Sequence, residues 1–429
     1  MKHSVKIVLA AVLVLAMLSS PAWAGIQNAY KFKSKRYEIT TDVDRELAQD
    51  IAQHMDAVYD EYARRMSGFR PRTNDKYFPL YVWENYETYL EFVAGYGFRA
   101  DNSGGVFFFS PKGSGLSTWV EGQSRLKMYY VLQHEGFHQF AYMRIDDDLP
   151  PWVNEGLAEY FGDALLIDGK LVPGKLDEER LLRMSRALNE HKFIDFRDLM
   201  TMDNREWVRR VTSGDRSMSQ MYDMAWAVCY WLIHYRDGKY RGALEQYLGF
   251  LNSGRDSDQA FAQVFGKDLN NFKDAFEKGL PKLDPDPWFT SVRRVQFYAE
   301  VLKALHAARK EGKAVPEFKD FGKLREFVIR SGIGVRIEER DIVKRDDRDV
   351  KLGNESEELS FPKPGVAELV KSEDENLPDG LVVTGLKPTT IRLSWKLDKK
   401  GNLVEEISYE KTTRRKPAVP QKTSPPKAS

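Results

Sequence analysis

The pentapeptide His134-Glu135-Gly136-Phe137-His138 constrains this chain more than any other feature of its 429 residues. Two histidines four apart lie on one face of a helix, because four residues complete just over one turn. Such a pair grips a single metal ion, and Glu135, beside the first histidine, reaches water at that ion. A second segment, PWVNEGLAEYF at 151–161, follows after a polar stretch, Asp146-Asp147-Asp148, and the dipeptide Pro150-Pro151. Proline is favoured in a first helical turn, so Pro151 opens a second helix. If the turn between the helices brings Glu155 back over the histidines, it supplies a third ligand. Two nitrogens and one carboxylate with a position left open are what catalytic zinc requires. Glu159, one turn further on the same face, is placed to accept a proton from the far nitrogen of a zinc histidine, His134. Taken singly, Glu155 and Glu159 also suit a solvated helix face; their pairing with the histidines favours the metal.

Upstream of this region, SKRYEIT at 34–40 reads as a strand. A helix capped by Asp42 follows to about Met66, with Leu47, Ile51, Met55, Val58 and Tyr62 at helical spacing. YFPLYVW at 77–83 is a second strand, where Pro79 favours a sheet edge or an irregular start. A short helix spans about 85–93, and GGVFFFSPKG carries a third strand at 105–110. A helix over 124–143 is next, and the helix opened by Pro151 runs to about Leu165. IDGKLVPGK is a loop or small hairpin, and helices follow at 176–189, 218–236, 240–250, 257–279 and 291–310. Beyond 330 the pattern turns to strands: TTIRLSWKLDKKGNLVEEISYE reads as a hairpin with Lys400-Gly401-Asn402 in its turn. From Lys411 onward there are six basic residues, four prolines and no acidic residue, a composition that cannot offset its own ordering entropy.

The N-terminus carries Lys2 and Lys6, the apolar run IVLAAVLVLAMLSS, and Ala22-Trp23-Ala24 before Gly25. That is the layout of a secretory signal cleaved after Ala24, and it predicts an exported, periplasmic or extracellular protein. Loss of the two lysines takes the formal charge from +1 to −1, which offers nothing to nucleic acid. No later stretch reaches the length of a stable membrane span. The single cysteine, Cys229, excludes an internal disulfide; in AWAVCYWLI it reads as a small buried hydrophobe. His54 and His306 fall in amphipathic helices and His191 at a helix end, none in a ligand pattern.

LQHEGFHQF at 132–140 and WVNEGLAEYF at 152–161 resemble the gluzincin clan of zinc metallopeptidases, in particular the peptidase MA-like families of bacterial exported proteins, often described only as domains of unknown function. The resemblance covers about residues 30–280. It implies zinc held by His134, His138 and the glutamate of the Asn-Glu-Gly triplet, Glu155. Glu135 is then the general base, and Glu159 supports a zinc histidine. It further implies an edge strand before the zinc helix, a place that GGVFFFSPKG fits, along which a peptide substrate lies by adding its backbone to the sheet. The Gly-x-Met-Glu-Asn sequence of the aminopeptidase branch is missing here, which favours an endopeptidase. A tyrosine or histidine from a later helix steadies the oxyanion in related enzymes; Tyr222 is the candidate, with His234, twelve residues on, as its competitor.

The expected architecture is α+β. A small mixed α/β N-terminal subdomain (25–123), with an edge strand, precedes a mainly helical zincin subdomain (124–310). A small β-rich C-terminal module (311–410) and a disordered basic tail (411–429) follow. The expected activity is zinc-dependent peptide-bond hydrolysis. The alternative is an inactive zinc-binding recognition or scaffold protein of the cell envelope, in contact with it through the C-terminal module or the basic tail.

Overall fold

The computed structural model describes Ile26 and residues 28–69, 75–101, 103–123, 125–146, 148–167, 169–213, 218–331, 359–398 and 401–411. The expected targeting segment, the charged stretch 332–358, Lys400 of the hairpin turn and the tail after Lys411 lie outside them. The described residues fall into two compact units: those up to Asp56 together with those of 75–124, and those of 57–74 together with those from Arg125 onward.

The first unit is a mixed five-stranded sheet. Strands β1 (Tyr30–Lys33) and β2 (Tyr37–Thr41) are antiparallel, and helix α1 (Arg45–Arg65) leads from β2 to its parallel neighbour β3 (Phe78–Trp83). Helix α2 (Tyr86–Gly95) precedes the hairpin of β4 (Gly105–Ser110) and β5 (Gly113–Trp119). The sheet order is β1-β2-β3-β5-β4, so β4 is an edge strand. Its phenylalanines divide as a pleat demands: Phe108 is buried and Phe109 is 56% exposed.

One local expectation is corrected in this unit, one of two alternatives is decided, and one strand appears where the sequence marks none. Helix α1 is capped by Asp44, whose Oδ1 accepts from the amides of Glu46 and Leu47; Asp42 instead accepts from the Glu84 amide at 2.7 Å. Pro79 sits in a central strand, not at an edge. The Phe78 amide faces β2, donating to Arg36 O, so the amide that Pro79 lacks would face β5, where pairing begins only at Leu80. No ladder bond is lost. Strand β5 was not anticipated, because GSGLSTW has the glycine and serine content of a loop. Tertiary context decides it: Gly115 leaves room for the Tyr81 ring, which a Cβ would meet at 2.5 Å.

The second unit is mainly helical. Helices α3 (Arg125–Arg144) and α4 (Pro151–Gly162) are followed by a hairpin of β6 (Leu165–Ile167) and β7 (Lys170–Val172), so α4 stops three residues short of Leu165. Helices α5 (Glu178–Asn189), α6 (Phe196–Thr201), α7 (Asn204–Thr212), α8 (Met218–Gly238), α9 (Arg241–Asn252), α10 (Ser257–Phe265), α11 (Leu269–Gly279), α12 (Pro287–Lys310) and α13 (Phe321–Ser331) continue the chain. Aspartate starts seven of them: Asp177, Asp195, Asp203, Asp256, Asp268, Asp286 and Asp320 each accept a first-turn amide. The expected helix 257–279 is two, because Gly266 takes a φ of +95° and Asp268 caps anew.

The C-terminal sheet is antiparallel, in the order β11-β10-β9-β8, from β8 (Val366–Val370), β9 (Gly380–Thr384), β10 (Thr389–Leu397) and β11 (Leu403–Lys411). Gly401, at φ +83°, closes the β10–β11 turn by donating to Asp398 O. One apolar core joins this sheet to α12 and α13: Val292, Val295 and Leu302 pack with Leu381, Ile391 and Leu393, and with Leu324 and Val328. No helix among the described residues is long and apolar enough to cross a membrane.

Candidate metal centre

Helix α3 is buried along most of its circumference, and it is held to α4 by polar contacts as well as packing. Gln133 Nε2 donates to the carbonyls of Phe161, Gly162 and Ala164 at 3.0, 2.8 and 3.0 Å. Those acceptors lie at the end of α4, where a helix leaves carbonyls without partners of its own. On its other side α4 runs hard against α8: a Cβ on Gly156 would collide with the Ala225 carbonyl oxygen and lie 2.6 Å from Cys229 Sγ. Glycine at 156 is therefore what lets α4 seat between α3 and α8. Cys229 is fully buried, and burial pushes its thiol pKa upward.

This packing brings His134, His138 and Glu155 together, and among the described residues they form a group able to hold a metal ion. Glu155 Oε2 lies 3.3 Å from His134 Nε2 and 3.4 Å from His138 Nε2, and the two Nε2 atoms are 3.1 Å apart. Zinc bonds of usual length at tetrahedral angles set donor atoms about 3.3–3.5 Å apart. The triangle has the dimensions of three corners of that tetrahedron. Glu155 Oε2 is buried without a well-aligned hydrogen bond among the described residues. A lone pair so enclosed fits a cation at the point the three atoms share. The donor set and its spacing thus fit zinc.

Each imidazole is oriented from behind. His134 Nδ1 lies 3.2 Å from Glu159 Oε1, and the Tyr130 hydroxyl donates to the same oxygen at 2.8 Å. His138 Nδ1 lies 3.0 Å from Asn154 Oδ1. His138 Nδ1–H pointed at Asn154 leaves the Nε2 lone pair of His138 for a metal, whereas His134 Nδ1 faces Glu159 without a well-aligned hydrogen bond. Burial opposes charge on both histidines, but nearby carboxylates outweigh it: Glu155 and Glu159 raise His134 well above its ordinary value, and Glu155 raises His138. Burial likewise opposes charge on Glu155, yet His138 and His134 hold its carboxyl down to about 2.

Glu135, half-buried, follows His134 on α3. Tyr222 on α8 is half-buried with its ring 6.4 Å from that of His134, and the Trp207 ring meets it edge-on at 5.2 Å. Burial, then the charge of Glu155, raises the Tyr222 hydroxyl well above its ordinary pKa. His234 is elsewhere. Twelve residues carry it about 18 Å further along the helix axis, where Nε2 meets the Tyr160 hydroxyl at 3.0 Å. A separate groove of about 1140 Å³, lined by Leu157, Tyr160, Phe161, Arg65 and Arg241, lies on the far side of α4 and does not include the three metal ligands.

Asn154, Tyr130, Arg180 and Asp163 have no role in the sequence reading. Two of them leave a trace there: Asn154 immediately precedes Glu155, and Tyr130 stands four residues before His134. Arg180 and Asp163 leave none.

A His/His/Glu cluster on two adjacent helices, able to coordinate a divalent metal such as zinc, makes this a candidate metal site of the two-histidine, one-carboxylate kind. Residues 130–251 match the family described as "Protein of unknown function (DUF1570)", so the cluster lies in a domain of that family. No curated protein matches the chain.

Proposed function

We propose that this protein is a zinc-dependent peptide-bond hydrolase of the gluzincin type, acting as an endopeptidase. The observation that carries the reading is the triangle of His134 Nε2, His138 Nε2 and Glu155 Oε2, with sides of 3.1–3.4 Å and Glu135 next to its first corner. Zinc, when bound there, supplies a Lewis acid that makes water acidic near neutral pH and polarises a carbonyl. Glu135 accepts the proton of the attacking water and passes it to the departing amine. The Tyr222 hydroxyl, kept protonated by its raised pKa, donates to the tetrahedral oxyanion. Glu159 and Asn154 hold the two imidazoles in one tautomer and orientation. The substrate of such an endopeptidase is an extended polypeptide. The apolar segment 7–20 ahead of Ala22-Trp23-Ala24 favours a periplasmic or extracellular site of action.

Zinc content and hydrolysis of a peptide library test this on wild type, Glu135→Gln and Glu155→Gln. Glu135→Gln keeps the shape of the side chain but cannot accept the proton, so activity falls about 10²–10⁴-fold while zinc stays bound. Glu155→Gln loses metal and activity together. Wild-type rates from Glu135→Gln, or a wild type without zinc, would overturn the reading.

A further inference from the structure

Behind His134 a chain of buried charges leads away from the metal centre. Glu159 is wholly buried. Its Oε1 faces His134 and Tyr130, and its Oε2 accepts from Arg180 Nη2 at 3.5 Å. Arg180, on α5, is 8% exposed, and its guanidinium lies 3.7 Å from the centre of the Trp226 ring. Its other terminal nitrogen, Nη1, donates to Asp163 Oδ2. Asp163 Oδ1 accepts from Arg293 Nη2 at 2.6 Å. Arg293 belongs to α12, the helix that shares its apolar core with the C-terminal sheet and whose Trp288 Nε1 donates to the Thr389 hydroxyl at 3.0 Å.

We propose that Arg180 is a positioning residue for the metal centre, and that α12 with the C-terminal sheet buttresses that centre through Arg293 and Asp163. A buried carboxylate needs compensating charge and donors. Glu159 must hold one rotamer if it is to orient His134 with Nε2 toward the metal. The planar fork of Arg180 meets that need, because its two terminal nitrogens span Glu159 and Asp163 and the Trp226 ring fixes its plane. Asp163 stands at the C-terminal end of α4, where the helix dipole disfavours a negative charge. Arg293 supplies the second cation that holds it there. The C-terminal sheet, far from His134 in sequence, is in this way part of what orients it.

The proposal rests on the zinc reading above, and direct metal measurement separates the two. The full chain is prepared as wild type, Arg180→Met, Arg180→Lys, Arg293→Met and Arg293→Lys. Zinc affinity is read by chelator competition, the ligand field from the absorption spectrum of the cobalt(II)-loaded protein, and folding from thermal unfolding of the metal-free protein. Arg180→Met is expected to bind zinc about 10–100-fold more weakly, the usual cost of losing an outer partner of a metal ligand, and to alter the cobalt spectrum. Arg180→Lys does not restore it, since one ammonium cannot span both carboxylates. Arg293→Met weakens binding by a smaller factor and Arg293→Lys restores it, because Asp163 takes a single bond from this side. A merely structural role would lower the unfolding temperature and leave the affinity and spectrum of the folded protein unchanged. Wild-type zinc affinity in folded Arg180→Met overturns the proposal. Should that variant not fold, wild-type affinity in both Arg180→Lys and Arg293→Met overturns it. Failure of the wild type itself to bind zinc overturns the reading beneath.

Discussion

His138 Nδ1 lies 3.0 Å from Asn154 Oδ1, so the residue before one metal ligand orients another. The Asn-Glu-Gly triplet therefore faces three ways on α4: Asn154 toward His138, Glu155 toward the candidate metal position, Gly156 toward α8. The first of these predicts that Asn154→Leu, which removes the acceptor at similar size, weakens zinc binding about 10-fold or more. Asn154→Asp, which keeps an acceptor, retains it. Chelator competition measures both, and equal affinities for Asn154→Leu and wild type would remove the orienting role.

Gly156→Ala should be costly for a residue so small. Its Cβ meets the backbone carbonyl of Ala225 and the sulfur of buried Cys229, and backbone cannot rotate away. Overpacking of this kind costs about 1–3 kcal/mol. Because Glu155 is adjacent, zinc occupancy falls along with the denaturant midpoint. Unchanged stability would mean that α4 and α8 can separate without penalty.

Tyr222→Phe removes a hydroxyl and nothing else. In the proposed mechanism the hydroxyl serves the tetrahedral state and not the bound peptide, so kcat should fall about 10²–10³-fold with KM little changed. The corresponding change at His234, bonded to Tyr160 three turns away, leaves kcat near wild type. Steady-state kinetics on a peptide substrate distinguish them. Loss of kcat from the His234 variant, with Tyr222→Phe active, would exchange the two roles.

Glu405 makes stability depend on pH. It lies opposite Trp395 on β11, its Oε1 buried without a hydrogen-bond partner among the described residues. Burial, and then the charge of Glu300 on α12, push its carboxyl up to about 7 against Lys303 and Arg125. The folded value exceeds the unfolded one, so the folded state holds this proton more tightly. Stability present below about pH 4.5 is lost as pH rises through 7, by on the order of 3 kcal/mol. Glu405→Gln should raise the urea midpoint of the metal-free protein at pH 8 and leave it nearly unchanged at pH 4. A gain of equal size at both pH values would assign the effect to packing instead.

What the sequence determined by itself was everything that helical periodicity sets locally. His134 and His138 share a face because they are four apart, Glu155 and Glu159 for the same reason, and Pro151 marks where a helix begins. The stripe of Ile51, Met55, Val58 and Tyr62 on α1 and the hairpin around Gly401 are legible on the same terms. Tertiary structure decided what depends on partners distant in the chain. Pro79 is tolerated in a central strand because β5 begins pairing one residue later. β5 itself, with the composition of a loop, is a strand because β3 and β4 flank it. Asn154 acquires its role only when α4 folds back on α3, and Arg180 only when α5 sets its guanidinium between Glu159 and Asp163 of α4, with Arg293 of α12 on the other oxygen of Asp163. A spacing of four residues constrains direction through backbone geometry alone, whereas a buried ion network exists only where packing has excluded water, and no local pattern records which helices will meet.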